Sequence, residues 1–273
     1  MPELPEVETI CRGLRSLLAR LTITDVKVLE SRLRNPISPN LYSELHQKTI
    51  LDVQRRGKYI LISLKENWVW LIHLGMSGKL VFVRAEQPRA RHDHIIVSFD
   101  NGHELRYNDP RRFGLSAVVA RAELVRLSQI ANLGLDPLDH RFNTDYLHGI
   151  ARHSKRRVRD LLIDQTVAAG LGNIYVNEIL FQAGVRPTRR AWTLRRQEIG
   201  QIAQVTPKVL QRAIRWRGTS FSDYRDGEDR RGGFQNHLRV YDRAGEKCKV
   251  CTTQIKAVRL GNRSAFYCSN CQK

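Results

Sequence analysis

A chain of 273 residues with 41% apolar side chains can bury two hydrophobic cores, which argues against a disordered polypeptide. It has no run of eighteen apolar residues, and its first residues carry Glu3, Glu6 and Glu8, so neither a membrane-spanning helix nor a secretory leader is expected. Lys and Arg number 46 against 27 Asp and Glu, a formal net charge of +19, with 20 basic and 14 acidic residues in 1–130 and 26 and 13 in 131–273. Such an excess implies a polyanionic partner, because each cation set against a phosphate releases condensed counterions. Charge alone does not separate DNA from RNA or an anionic membrane.

In chain order, residues 5–20 read as a helix, with Val7, Ile10, Leu14 and Leu17 at helical spacing and arginines between them. Cys11 falls in this repeat and is expected to be a small buried residue. From about 22 to 120 the texture changes to short β-rich runs, ITDVKVL, KYILISL, WVWLIHL, KLVFV and HIIVSF, parted by turn signals such as Asn101-Gly102. Strands at this spacing suggest a β-sandwich or barrel. Residues 122–138 read as a short helix followed by the connector LGLDPLD. Helices follow over 143–152, 154–164, 173–183 and 195–215, with the glycine-rich turn QTVAAGLGN joining the second and third. Residues 217–236 are polar and glycine-containing, and read as a loop. The expected divisions are an N-terminal β-sandwich domain over 1–128, a linker over 129–138, a helical domain over 139–236 and a cysteine module over 237–273.

That module carries Cys248-x2-Cys251, then sixteen residues, then Cys268-x2-Cys271. Two such knuckles can present four thiolates tetrahedrally to one zinc ion, which with no open position would be structural. The pairs would hold a hairpin, residues 255–260 and 264–267, with 261–263 at its tip. Arg263 is then offered on a rigid turn of a basic protein, a setting suited to a phosphate contact. At the other end of the chain, removal of Met1 would leave Pro2 with a secondary amine. An α-amino group has a pKa of about 8, so a sizeable fraction is neutral at physiological pH. Such an amine can attack a sugar C1′ and collapse to an iminium, with Glu3 beside it as acid or base.

MPELPEVET at 1–9, HLGMSGKL at 73–80, NDPRRFG at 108–114, GLGNIYVNE at 170–178 and the cysteine hairpin together resemble the formamidopyrimidine-DNA glycosylases, over essentially the whole chain. The related endonuclease VIII branch usually has glycine where this chain has Leu4 and lacks the HLGMSG pattern, which favours the branch acting on oxidised purines. The resemblance implies an α+β protein: an N-terminal β-sandwich flanked by helices, and a C-terminal helix–two-turns–helix domain with a zinc-bound β-hairpin. It implies Pro2 as the Schiff-base nucleophile, Glu3 as the acid that opens the deoxyribose, and Lys58 as a grip on the lesion phosphate that assists elimination. It implies Arg263 as a phosphate ligand taking part in δ-elimination. Asn173 and His92 match phosphate contacts. Met76, Arg111 and Phe113 match a trio that fills the gap left when the damaged base is extruded, with Arg111 on the opposite cytosine. Residues 217–236 match a segment that closes over that base.

One position departs from the family: Arg159 stands where lysine is usual, and a planar fork replaces a point charge. Lys155 and Arg159, within RHSKRRVR, are expected on a phosphate-binding surface. His92 and His94 are expected to point to opposite sides of their strand rather than to share a metal. The partner implied is damaged double-stranded DNA, held in a basic cleft between the two domains. One structural zinc, no redox or organic cofactor, a monomer and a cytoplasmic location, nucleoid-associated when bound, are expected. The alternatives are an endonuclease VIII-like enzyme for oxidised pyrimidines, a non-catalytic lesion-binding protein, and a zinc-ribbon RNA-binding or transcription module.

Overall fold

The computed structural model describes residues 1–220 and 231–273. The chain divides into two compact units, Met1–Ala131 with Trp216–Gln235, and Asn132–Arg215 with Asn236–Lys273. Half of the loop expected over 217–236, residues 221–230, lies outside the described residues. Its described parts 217–220 and 231–235 belong to the N-terminal unit rather than to the helical one. Among the described residues, no helix is long and apolar enough to cross a membrane.

The N-terminal unit opens with α1 (Leu4–Leu18), whose start is set by Glu3 as N-cap, Pro5 in the first turn and Glu6 closing a capping box. Its apolar face runs through Val7, Ile10, Cys11, Leu14 and Leu18, all buried. Leu18 and not Leu17 completes that face, standing four residues on from Leu14 on the same side of the helix. Eight strands follow: β1 (Ile23–Val28), β2 (Ile50–Arg56), β3 (Tyr59–Leu64), β4 (Trp68–His73), β5 (Lys79–Arg84), β6 (Asp93–Phe99), β7 (His103–Asn108) and β8 (Leu115–Ala120). They form two antiparallel sheets, ordered β1-β6-β7-β5 and β2-β3-β4-β8. One core joins their inner faces, with Ile62, Trp70 and Ile72 from one sheet meeting Ile95, Leu105 and Tyr107 from the other, and α1 packed against both. This is the expected sandwich. Short helices α2 (Leu41–Leu45), α3 (Arg121–Leu124) and α4 (Ser128–Ala131) complete it, the last two standing where one short helix is predicted.

The C-terminal unit holds α5 (Thr144–Ala151), α6 (Val158–Ile163), α7 (Asn173–Gln182), α8 (Arg196–Arg215) and a hairpin of β9 (Ile255–Leu260) and β10 (Arg263–Cys268). Asn143 caps α5 through its side chain, which accepts the Tyr146 N–H at 3.1 Å. The second of the predicted helices starts four residues later than expected. Residues 154–157 are drawn off by a neighbouring segment: Arg156 O accepts Ala191 N–H, Ser154 O accepts Trp192 N–H, and Arg157 bridges Arg190. At the hairpin end only Gly261 takes a positive φ, 61°, so Gly261-Asn262 form a two-residue turn of the II′ kind and Arg263 begins β10 opposite Leu260. Arg263 is therefore a strand residue beside the tip rather than the tip itself.

Candidate functional site

The candidate residues of the N-terminal unit cluster at three junctions. At the first, Pro2 is buried and Glu3 only 4% exposed, where α1 begins. Glu6 Oε2 accepts the Glu3 N–H at 2.8 Å, while its Oε1 accepts the Thr219 N–H at 2.7 Å. One buried carboxylate thus ties the chain start to the root of the 217–236 segment. The approach is close: a Cβ at Gly218, itself at φ +74°, would stand 2.6 Å from Glu6 Oε1.

The second junction is the turn between β2 and β3. Arg56 pairs with Tyr59, leaving Gly57-Lys58 as a two-residue turn in which Gly57 takes φ 58°. Lys58 therefore sits in a turn and not on a solvated strand, and it is only 6% exposed. Arg55 fixes this turn to α1, donating from Nη1 to Gly57 O at 3.1 Å and from Nε to Glu8 Oε2 at 2.9 Å. Burial alone would raise the Glu8 carboxyl; hydrogen bonds and charge from Arg12 and Arg55 outweigh it and hold the group below the usual carboxylate range. Burial and the nearby Lys58 charge push His73 down to about 4, against the pull of Asp109. The imidazole is neutral at pH 7, and its Nδ1 accepts the Gly75 N–H at 3.0 Å.

The third junction carries Met76 on the 74–78 loop and Arg111–Phe113 on the 109–114 loop. Met76 and Phe113 are 43% and 42% exposed, and Arg111 lies over the Phe113 ring at 4.8 Å. His92 lies one residue before β6, and its ring meets that of His94 edge to face at 6.2 Å. The two histidines do not point to opposite sides; residues two apart in extended chain share a face. His94 is engaged with Asp109 O at 2.7 Å, and among the described residues the four cysteines are what gathers three or more potential metal ligands.

In the C-terminal unit the polar residues of GLGNIYVNE hold the hairpin. Asn173 opens α7 and donates from Nδ2 to Ser264 O at 3.0 Å. Asn177 Oδ1 accepts the Phe266 N–H at 2.7 Å, and Glu178 accepts the N–H groups of Arg239, Val240 and Tyr241 at 2.9–3.0 Å. Burial raises the Glu178 carboxyl despite these three donors. Arg159 is 3% exposed, its Nη2 donating to Asn173 Oδ1 at 2.8 Å and its Nη1 to Asp160 Oδ1 at 2.8 Å, with Leu260 O at 3.4 Å. It lies inside the unit, not on the basic surface where the sequence suggested it. Lys155 and Arg263 are exposed.

The four thiols are unbridged, and their Sγ atoms lie within 4.8 Å of one another. Tetrahedral zinc with Zn–S bonds of about 2.3 Å would space its sulfurs by roughly 3.8 Å. Cys248 and Cys271 stand 3.9 Å apart and Cys251 and Cys268 3.3 Å, so the set fits one structural zinc. Such sulfurs crowd one another: burial and its three neighbours push the Cys271 thiol up, which a bound cation would reverse. Sequence reasoning did not single out Glu6, Ser77, Asp109, Asn177 or Glu178. Each is a polar residue inside or beside a recognised motif, and that was the available signal.

A two-sheet unit that opens on buried Pro2 and Glu3, followed by a helical unit closed by a four-cysteine hairpin, is the layout of a zinc-finger protein. Family models match in the same order: formamidopyrimidine-DNA glycosylase N-terminal domain over 1–116, formamidopyrimidine-DNA glycosylase H2TH domain over 133–225, and the zinc finger found in FPG and IleRS over 245–273. The chain belongs to the formamidopyrimidine-DNA glycosylase family. It is 43% identical to formamidopyrimidine-DNA glycosylases of Escherichia coli O7:K1 and Shigella boydii, over 100% of both chains. Among solved structures, a Lactococcus lactis FPG mutant in complex with Fapy-dG containing DNA superposes with a TM-score of 0.92 at 31% identity over 100% of each chain. The Lactococcus lactis Fpg with abasic-site DNA does so at 0.92 over 99% of each.

Proposed function

We propose that this protein is a base excision repair glycosylase that removes oxidised purines, 8-oxoguanine and formamidopyrimidines, from duplex DNA and then cuts the strand. The observation that carries this reading is Pro2, buried at the foot of α1 directly before Glu3, in a chain that follows the family from end to end. With Met1 removed, the proline nitrogen is a secondary amine. It attacks C1′ as the base departs, Glu3 protonates the ring oxygen, and the opened sugar is left as an iminium on Pro2. Loss of a C2′ proton expels the 3′ phosphate and a second elimination expels the 5′ phosphate. The product is a one-nucleotide gap with phosphates on both ends. Lys58 and Arg263 hold the phosphates beside the lesion and assist these eliminations.

Met76 and Phe113 occupy the space vacated by the extruded nucleotide and Arg111 hydrogen-bonds the opposite cytosine. His92, Lys155 and Asn173 bind backbone phosphates. For Arg159 the buried bond to Asn173 supports a holding role in place of direct contact with the lesion. The functional divisions are 1–128 together with the root of the 217–236 segment, 139–215 and 237–273, and the enzyme works as a cytoplasmic monomer. One zinc on Cys248, Cys251, Cys268 and Cys271 supplies rigidity to the hairpin when bound.

Borohydride trapping with an 8-oxoguanine:cytosine duplex tests the reading, with wild type beside Pro2→Gly and Glu3→Gln. A lesion-dependent covalent band mapped to residue 2 and absent from Pro2→Gly is expected. Lesion binding with neither adduct nor strand cutting would move the chain to a damage-binding role. One Lactococcus lactis relative was solved with DNA containing an oxidised pyrimidine, so an oxidised-pyrimidine duplex belongs in the same experiment as competitor.

A further inference from the structure

Met76 and the Arg111–Phe113 group stand on different loops, and the topology sets those loops side by side. The 74–78 loop leads from β4 to β5 and the 109–114 loop from β7 to β8. β4 pairs with β8 in one sheet and β5 with β7 in the other, His73 facing Leu115 and Lys79 facing Asn108 at the loop ends. Two adjacent crossovers therefore pass from sheet to sheet over the same edge of the sandwich. They touch backbone to backbone: a Cβ on Gly75 would stand 2.5 Å from the carbonyl carbon of Phe113, and one on Gly114 2.8 Å from His73 O.

Asp109 lies at this junction and is 0% exposed. Its Oδ1 accepts from Ser77 Oγ at 2.6 Å, and its Oδ2 from the Gly114 N–H at 2.9 Å and the Tyr107 hydroxyl at 3.3 Å. Ser77 Oγ in turn accepts the Arg111 N–H at 3.2 Å. The Asp109 backbone reaches further, donating to His92 O and accepting from the Arg112 N–H, each at 3.1 Å. Arg112 is held in the left-handed region at φ 57°, with its side chain on Glu30 Oε2 at 3.0 Å. A non-glycine residue stays there only where its surroundings over-determine it. His73 faces the carboxylate electrostatically, and Lys58 faces His73.

We propose that Asp109, through Ser77 and Gly114, is a positioning residue that makes the two insertion loops one rigid wedge. This rests on the reading of Met76, Arg111 and Phe113 as the groups that fill the gap. Locked together, Met76 and Phe113 enter the duplex at once and Arg111 is held over one orphan base. Unlocked, the loops are ordered during extrusion, and that cost falls on the extrusion step and not on the chemistry at Pro2.

The test compares Asp109→Asn and Ser77→Ala with wild type on two substrates, an 8-oxoguanine:cytosine duplex and a single-stranded oligonucleotide with a preformed abasic site. The second needs no extrusion and has no opposite base. Asparagine keeps the shape of aspartate but puts an N–H where one of the two loops offers a donor. We expect Asp109→Asn to slow duplex excision by about 100-fold, the scale of an ångström-level misplacement, and Ser77→Ala by about 10-fold. Both should narrow the preference for cytosine over adenine opposite the lesion, and cleavage of the single-stranded substrate should stay within about two-fold of wild type. Equal losses on both substrates, or unchanged opposite-base preference, would overturn the proposal. If Asp109→Asn fails to fold, Ser77→Ala decides alone. A wild-type protein inactive on both substrates would sink the glycosylase reading itself, a distinguishable failure.

Discussion

At the scale of single residues, burial separates groups that look alike in the sequence. Arg159 and Lys155 are four positions apart in one basic run, yet Arg159 is 3% exposed and bonded to Asn173 while Lys155 faces solvent. Their substitutions should part in salt titrations of DNA binding. Lys155→Ala is expected to reduce the slope of log affinity against log salt by about 0.9, one phosphate contact. Arg159→Lys is expected to weaken binding with the slope unchanged, since lysine cannot span Asn173 and Asp160 as a fork does. His73 carries a pH signature. Its folded pKa of about 4 lies below the unfolded value, so unfolded chains bind the proton first and stability falls as pH drops from about 6.5 to 4. At 1.36 kcal/mol per unit the loss is about 3 kcal/mol, and chemical denaturation of His73→Gln should show a pH dependence shallower by that amount.

At the scale of elements, α7 and the zinc hairpin are one assembly. Asn173, Asn177 and Glu178 lie on α7 and commit their side chains to backbone groups of β10 and residues 239–241. Arg263 follows Leu260 by a two-residue turn and precedes Ser264, whose carbonyl Asn173 holds. Zinc removal should therefore reach beyond the hairpin. Structural zinc sites contribute folding free energy on the order of 10 kcal/mol. Chelation, or Cys268→Ser, is expected to abolish preferential binding to lesion DNA and leave the buried Glu178 carboxylate without its donors. The β-sheet signal of the N-terminal unit should persist in circular dichroism, because its core is its own. Retained preference for lesion DNA over undamaged DNA in a zinc-free protein would refute this coupling.

For the whole molecule, net charge and the chain start make separable demands. A formal charge of +19 supports binding to undamaged DNA through phosphates alone. With about six phosphates neutralised, log affinity should fall with a slope of about −5 against log salt. The proposed mechanism needs the Pro2 amine as well. Protein shown by mass spectrometry to retain Met1 is expected to bind lesion duplex with normal affinity and form no borohydride adduct. Normal turnover by such a preparation would remove Pro2 from the mechanism.

The sequence by itself determined the elements whose signals are local. Helical spacing marks α1, β-rich runs mark five of the eight sandwich strands, and the paired CxxC knuckles mark the metal site. The motifs also picked out Pro2, Glu3, Met76, Arg111 and Phe113 as candidates, because these residues lie in contiguous stretches whose order survives in one dimension. Tertiary structure alone decided which polar side chains are internal. That Asp109 meets Ser77, 32 residues away, depends on two crossovers lying side by side. That Glu6 meets Thr219, 213 residues away, depends on the loop root returning to the N-terminal unit. Arg159 is hidden by the hairpin, 101 residues on at Leu260. Hydrogen bonds to buried charges are set by packing between distant segments, and no periodicity along the chain encodes them.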